Sequence, residues 1–195
     1  SGESLDPEVQ AALRREELID HLLKALADEE LANRRTAAIT LGWLKEPRAE
    51  RPLIDLLSEA PLLEYATHAL VSIGFRDRDA YAYGLHHPDD SVRQGTVRCL
   101  AWIAPREGVE LVAPLIHDPS AEVRAEAAAA IGRLGDEDAP MLLFELLGDE
   151  SELIQESAMD ALSRMAPERV LPLLVQALAG EDPETSTTRV TPSLG

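Results

Sequence analysis

One segment recurs five times along the 195 residues, and this period constrains the fold more than any other feature of the sequence. Each copy is a run of small and apolar residues that ends in an apolar pair, as in AAITLGWLK (37–45) and AAAAIGRLG (127–135). One apolar residue, here called the anchor, recurs at spacings of 29, 30, 31 and 31 residues. The anchors are Leu41, Leu70, Leu100, Ile131 and Leu162. Such a period indicates stacked copies of one supersecondary unit.

A second apolar segment with helical periodicity precedes each anchor, for example at residues 111–116. Turn-forming residues separate the two segments, as in HPDD at 87–90. Aromatic residues make up only 4% of a chain rich in Leu and Ala, which favours helices over strands. Each repeat is therefore predicted to be helix A, a turn and helix B. Four prolines are predicted in the first turns of A helices: Pro52, Pro114, Pro140 and Pro172.

The motifs HDPSAEVRAEAAAAIGRLG (117–135) and HPDDSVRQGTVRCLAWIA (87–104) resemble the short HEAT-like repeat of phycobilisome bilin lyases and of many bacterial scaffold proteins. The resemblance covers residues 19–180. It implies an all-α chain, an α-solenoid that winds as a right-handed superhelix of about five HEAT-like helix pairs plus end helices. Because the motif records how repeats stack, it implies a fold and not an activity.

The pattern divides the chain into three parts. Residues 1–18 are predicted to be an N-terminal capping helix or extension, and residues 181–195 a disordered tail with too few apolar residues to pack. Residues 19–180 are predicted to form the array. Its units are 19–50, 51–78, 79–109, 110–139, 140–169 and a final helix, 170–180. This last helix has no helix B after it, so we expect it either to fold back as a cap or to mediate self-association.

Charge and composition limit the partners and the compartment. Thirty-six acidic and 18 basic side chains give a net charge of −18, which repels nucleic acids and anionic lipids. No apolar run is long enough to span a membrane. The single cysteine, Cys99, fits a reducing compartment and a small packed position on helix B. These features predict a cytoplasmic protein without nucleic acid or membrane as a partner.

Helix B is predicted to carry the binding surface. Positions two residues after, and two and five residues before, each anchor point away from the partner helix. Trp43 and Trp102 share the first of these positions, and Trp, Tyr and Arg are enriched at protein interfaces. The predicted protein-binding residues of this concave face are Trp43, Tyr65, His68, Arg98, Trp102, Arg133 and Arg164. The alternative is that each tryptophan only covers a neighbouring repeat.

Two further columns are predicted to be structural. Residues next to each anchor are small, so neighbouring B helices are expected to approach closely. Seven residues before most anchors lies an arginine, often with an acid six residues earlier, which predicts a ladder between successive A–B turns. Its members are Asp28, Arg34, Arg93, Asp118 and Arg124. Repeat two lacks the pattern at Leu57 and Leu63, which predicts an irregular unit there.

No catalytic motif appears in the sequence. It contains no phosphate-binding loop, nucleophile elbow or calcium-binding loop, so we expect no metal, no cofactor and no enzymatic activity. The predicted function is that of a non-catalytic scaffold or adaptor for a protein or peptide. The first alternative is an enzyme like a bilin lyase or a chaperone, which needs an inner pocket for a tetrapyrrole. The second, a HEAT-like DNA glycosylase module, is opposed by the charge.

Overall fold

A computed structural model describes residues 6–104 and 107–179 of the chain. Within these ranges the regular structure is helical and no strand occurs. The chain divides into two compact units, Ser1–Glu107 and Gly108–Gly195. Each unit is a stack of antiparallel helix pairs of the α-solenoid type, which confirms the predicted fold class.

The helices alternate between the A and B positions. Those of the first unit are α1 (Pro7–Ala25), α2 (Leu31–Leu44), α3 (Glu50–Asp55), α4 (Leu63–Ile73), α5 (Arg78–Leu85) and α6 (Asp90–Ile103). Those of the second are α7 (Gly108–Val112), α8 (Ala121–Leu134), α9 (Ala139–Leu146), α10 (Glu152–Ser163) and α11 (Pro167–Ala179). Short 3-10 segments extend α3 at both ends, at Pro47–Ala49 and Leu56–Ser58, and follow α7 at Ala113–His117. All five anchors lie buried on the B helices, as predicted.

The N-terminal helix is longer than its packed part. Asp6 accepts a hydrogen bond from the Glu8 N–H at 2.8 Å and so caps α1. The helix is continuous across residue 18, but residues 11–18 are exposed, and Ile19, at 1% exposure, begins the buried face.

The prolines follow the prediction at two positions of four. Pro52 and Pro140 lie in the first turns of α3 and α9. Pro114 instead lies in the 3-10 segment after α7, because its missing N–H cannot continue the α-helical ladder and the backbone tightens. Pro172 lies inside α11, since that helix begins at Pro167 and not at Val170. Pro167 therefore occupies the first-turn position that the prediction gave to Pro172.

Neighbouring B helices meet at glycine and alanine, as the small columns predict. A Cβ atom added to Gly42 of α2 would lie 2.8 Å from the Cα of Ala69 in α4. A Cβ atom added to Gly132 of α8 would lie 2.6 Å from the Cβ of Ala161 in α10. Both distances are shorter than a carbon–carbon contact, so the helices approach to a separation that only glycine permits.

Gly132→Ala is expected to lower the free energy of unfolding by about 1–2 kcal/mol, although alanine is the better helix former. The added methyl group forces α8 and α10 apart. Urea denaturation of this variant, of Ala161→Gly and of the double variant measures the coupling. The double variant should return close to wild-type stability, and additive losses in the double variant would contradict this contact.

Arginines of two B helices link successive A–B turns. Arg34 donates to the Leu26 carbonyl at 2.9 Å, and its two terminal nitrogens donate to the Glu59 carboxylate. Arg124 donates to the Asp118 carbonyl at 2.8 Å and to both Asp149 oxygens at 2.8 and 3.1 Å. Each guanidinium thus joins the turn of its own repeat to an acid in the next turn.

Two acids of the predicted ladder each accept a hydrogen bond from the backbone of their own turn. Asp28 caps its own turn, accepting from the Glu30 N–H at 2.8 Å, and Asp118 accepts from the Ser120 N–H at 2.9 Å. Repeat two does supply an acceptor for Arg34, since Glu59 stands two residues beyond Leu57. Asp149 is the acid that Arg124 holds, and this hydrogen bond keeps the pKa of the carboxyl below its usual value.

Arg93, the remaining arginine of the predicted ladder, lies near the start of α6 and contacts the turn before that helix. Its terminal nitrogen donates to the carbonyls of His87 at 2.8 Å and Pro88 at 3.1 Å. Arg93 therefore makes the same contact with its own A–B turn that Arg124 makes with the Asp118 carbonyl.

A buried carboxylate fastens the loop between α4 and α5. Glu50, at the start of α3, is fully buried and accepts from the Arg76 N–H at 2.9 Å. Burial raises its pKa. Tyr81, also fully buried, donates to the Gly74 carbonyl of the same loop at 3.2 Å. Side chains of two A helices, α3 and α5, thus stabilise the loop between α4 and α5.

Four B helices are followed by a residue with a positive φ at one register position, four residues after the anchor, and all but Gly74 (ψ −166°) are in the left-handed conformation. The residues are Lys45 (φ 52°), Gly74 (φ 87°), Ala104 (φ 50°) and Gly135 (φ 71°). A left-handed residue lets its N–H bond back to a helix carbonyl, as the Ala104 N–H does to Leu100 at 2.8 Å. Ala166 holds the equivalent position in repeat five without a positive φ.

Ala104→Gly is expected to raise the free energy of unfolding by about 0.5–1 kcal/mol, because glycine adopts a positive φ without the Cβ clash of alanine. Ala166→Gly is the matched control, with the same substitution and register but no positive φ. It should lower stability, by about 0.4–1 kcal/mol, through the entropy of the unfolded chain. Thermal denaturation measures both, and equal effects would refute the role of the backbone angle.

The face of α10 that matches the contact face of α8 is more polar. In α8 this face includes Gly132, which lies against Ala161 of α10. At the register positions of Ala121, Ala125, Ala128 and Gly132, α10 carries Glu152, Glu156, Met159 and Ser163, all exposed. Helix α11 packs against α9, and its Leu171 and Val175 remain 55% and 64% exposed. A cap that folds back and a surface for self-association are the two alternatives for this helix, and the cap stays a prediction. Self-association through α11 stays a prediction.

Candidate functional site

An aromatic surface lies on the outward faces of α2, α4 and α6 in the first unit. Trp43 is 78% exposed and Trp102 is 57% exposed, and His68 between them in register is also exposed. Tyr65 is half-buried. These four residues point away from the A helices, as the register predicts. Gly95 is the exception at an outward position, because it is buried against the Leu57 side chain.

A first cavity of about 310 Å³ opens between α2 and α4. Trp43 and Tyr65 stand at its sides, and Gly42 and Ala69 form part of its lining. The remaining lining residues are Ile39, His68 and Ser72. Because Gly42 and Ala69 are in contact, the two helices close the floor of this cavity. It is called the Trp43 compartment below.

A second cavity of about 480 Å³ opens between α4 and α6 and is called the Trp102 compartment. It is lined by Thr67, His68, Val71, Ser72 and Trp102. His68 and Ser72 line both cavities, so the two compartments lie on either side of α4 and share a wall. Together they form one aromatic groove across three B helices.

The Trp102 compartment arises where the small column is interrupted. The residue after the anchor is Gly42 in repeat one and Gly132 in repeat four, but Val71 in repeat two. A branched side chain at this position cannot allow the close approach that glycine allows, and Val71 stays 36% exposed in the cavity wall. The sequence pattern places Val71 in the column of small residues, and it predicts neither Val71 nor Thr67 as a residue of the site. The larger volume at this one position was the available indication.

The groove carries little charge of its own. The residues that line the two compartments include no carboxylate, in a chain with 36 acidic residues. The Arg35 guanidinium stacks over the Tyr65 ring, 4.9 Å from its centroid. This contact fixes the ring at the edge of the Trp43 compartment.

The three predicted arginines do not line the aromatic groove. Arg98 lines a separate cavity of about 190 Å³ with Leu57, Leu63 and Gly95. In the second unit, Arg133 and Arg164 line a cavity of about 250 Å³ beside Gly132. Arg164 also pairs with Asp160 one helical turn away. The positive charge expected from Arg164 is therefore already compensated within α10.

Side chains that could bind a metal ion are not clustered in the described residues. Residues 6–104 and 107–179 contain no group of three or more His, Cys, Asp or Glu placed to hold a metal ion. Cys99 is fully buried in α6, where a thiol packs as a small apolar residue. In the part of the chain that the structure describes, no helix combines the length and apolarity needed to cross a bilayer.

Two overlapping stretches of the chain, residues 79–143 and 111–194, match the family of HEAT repeats. Together they span residues 79–194, more than half of the 195 residues. The chain is a HEAT-repeat protein. No curated protein matches it.

Solved structures of similar fold include a natural complex and two engineered proteins. The complex of CpcE and CpcF of phycocyanin lyase from Nostoc sp. PCC7120 matches with 25% identity over 93% of this HEAT-repeat protein and 73% of that chain, at a TM-score of 0.51. An engineered protein matches with 19% identity over 88% and 90% of the two chains, at 0.48. A designed armadillo repeat protein in complex with the peptide (KR)4 matches with 21% identity over 82% and 87%, at 0.43.

Both tryptophans of this HEAT-repeat protein should be accessible to acrylamide in the folded state, Trp43 more than Trp102, in line with their exposed fractions of 78% and 57%. The single-tryptophan variants Trp102→Phe and Trp43→Phe separate the two fluorescence signals. A tryptophan that is protected from quenching in the folded monomer would show that it covers a neighbouring repeat instead.

Proposed function

We propose that this HEAT-repeat protein is a non-catalytic scaffold or adaptor that binds a segment of another protein in the aromatic groove of its first unit. The observation that supports the proposal is the pair of exposed tryptophans, Trp43 and Trp102, at one register position on either side of a shared wall. Contiguous exposed apolar patches, unlike single exposed apolar side chains, mark interaction sites.

The composition of the groove supports a protein partner over a charged ligand. Aromatic residues are enriched and charged residues depleted at the centres of protein interfaces. The two compartments show this pattern, with Trp43, Tyr65 and Trp102 and no carboxylate. A partner side chain in either compartment would lose its water against aromatic and aliphatic walls, which is the setting of binding hot spots.

The negative charge of the chain supports a partner with basic flanks. At −18, the field of the protein attracts cationic segments and raises their rate of encounter. Because the groove itself lacks acids, this attraction acts on residues beside the bound segment and not on those within it. The partner is therefore an apolar segment between basic residues.

A second candidate is a role like that of a chromophore lyase. It is favoured by the 25% identity with the CpcE–CpcF complex of phycocyanin lyase. The Trp102 compartment, at about 480 Å³, is within the size range of small-molecule sites. Titration with free bilin, followed by absorbance, separates this candidate from the first, since saturable binding that Trp102→Ala abolishes would favour it.

Site-specific cross-linking tests the proposed scaffold function. A photo-reactive phenylalanine analogue at Ser72, in the shared wall, should capture a partner from native lysate. Trp43→Ala and Trp102→Ala should each weaken binding of the purified partner by about 1–4 kcal/mol, because truncating a central aromatic residue removes its buried contact area. Isothermal titration calorimetry measures the change.

Met141→Ala is the matched control, because Met141 is a large apolar side chain with 51% exposure outside the groove. It should leave the affinity unchanged. Wild-type affinity in both tryptophan variants, with unchanged melting temperatures, would show that the partner binds another face.

A further inference from the structure

We infer that the aromatic groove binds a polyproline II segment that places two apolar side chains, three residues apart, in the Trp43 and Trp102 compartments. This inference rests on the proposed peptide-binding function and names the class of peptide. It follows from the separation of the compartments, from the chemistry of their shared wall and from the charge around them.

The separation of the compartments is set by helix packing. One compartment is lined by residues of α2 and α4 and the other by residues of α4 and α6. Their centres are therefore expected to lie about one helix spacing apart. Packed helices are about 8–10 Å apart between axes. A ligand that fills both compartments must therefore place two side chains on one face at about this distance.

A polyproline II helix meets this distance. It rises about 3.1 Å per residue with three residues per turn, so residues i and i+3 lie on one face about 9.3 Å apart. In a β-strand, same-face residues lie about 6.6 Å apart at i and i+2, or about 13 Å at i and i+4. In an α-helix, same-face neighbours at i and i+4 are about 5–6 Å apart, and those at i and i+7 are about 10.5 Å apart, so the distance alone does not exclude a helix and the shared wall makes that distinction.

The shared wall suits a backbone without internal hydrogen bonds. His68 and Ser72 lie between the compartments and carry a ring N–H or N and a hydroxyl. A polyproline II backbone leaves its carbonyls free, and the residues between the two anchoring side chains cross this wall. An α-helical ligand would present carbonyls that are already bonded, so the wall would gain nothing from it.

The remaining lining is the kind that proline-rich segments use. Such segments dock on aromatic-lined grooves at low entropic cost because their conformation is already formed. Trp43 and Tyr65 flank one compartment and Trp102 the other, over the small residues Gly42 and Ala69. Charge complementarity with the −18 chain places basic residues at the ends of the segment.

Fluorescein-labelled polyproline peptides of fourteen residues test the inference, each with two leucines and with two arginines at its N-terminus. The leucines are placed at i and i+2, i and i+3, or i and i+4 in otherwise identical peptides. Fluorescence anisotropy with the full chain should show the i, i+3 peptide binding about tenfold more tightly than the others, which corresponds to about 1.4 kcal/mol. Trp43→Ala and Trp102→Ala should each abolish this preference, and Met141→Ala should retain it.

Equal affinities for the three spacings would overturn the inference, as would tighter binding of an alanine-based helical peptide with leucines at i and i+7. A peptide with arginines but no leucine that binds equally well would show electrostatic adsorption only and would also overturn it. None of these results affects the proposed function, which fails only if the tryptophan variants retain wild-type affinity for the cross-linked partner.

Discussion

The close contact between neighbouring B helices is the constraint on which the rest of each unit depends. Gly42 against Ala69, and Gly132 against Ala161, bring backbone within reach of backbone, so the separation of these helices is set by the absence of side chains. The anchors beside these two contacts, Leu41 and Ile131, are fully buried, because this separation leaves no room for water between the paired B helices. The arginines that join successive turns have the correct reach for the same reason, since Arg34 and Arg124 each span one repeat step.

Much of this arrangement could be predicted from the sequence, because the hydrophobic period and the residue sizes determine which face of a helix is buried and where two helices can approach closely. The period identified the buried face of every B helix, and the small residues beside each anchor identified the contact at Gly42 and Gly132. The ladder was predicted less well, because the acceptor in repeat two depends on turn geometry, and Glu59 reaches Arg34 from a position that the register does not mark. The 3-10 segment at Pro114 was missed for a similar reason, since residue spacing does not show whether the backbone has tightened.

The candidate site was predicted in part, and its limits have a physical origin. Register alone placed Trp43, His68 and Trp102 on the outward faces, because direction on a helix follows from residue number. Register could not show that Arg98 lines a different cavity, or that Arg164 is paired with Asp160. The sequence also did not predict the cavity between α4 and α6. Helix spacing depends on the volume of the side chain at the contact, and Val71 differs from the small residues of that column by only a few atoms.

The presence of Val71 makes the Trp102 compartment a property of one position in the column and not of the fold. Every repeat has the same position after its anchor, and the two anchors of the helix pair with Val71, Leu70 and Leu100, are both fully buried, so a larger residue at this position is compatible with buried anchors. Evolution can in this way relocate or duplicate a groove along the array through single substitutions. Relatives with the same scaffold can then diverge in partner choice long before they diverge in structure.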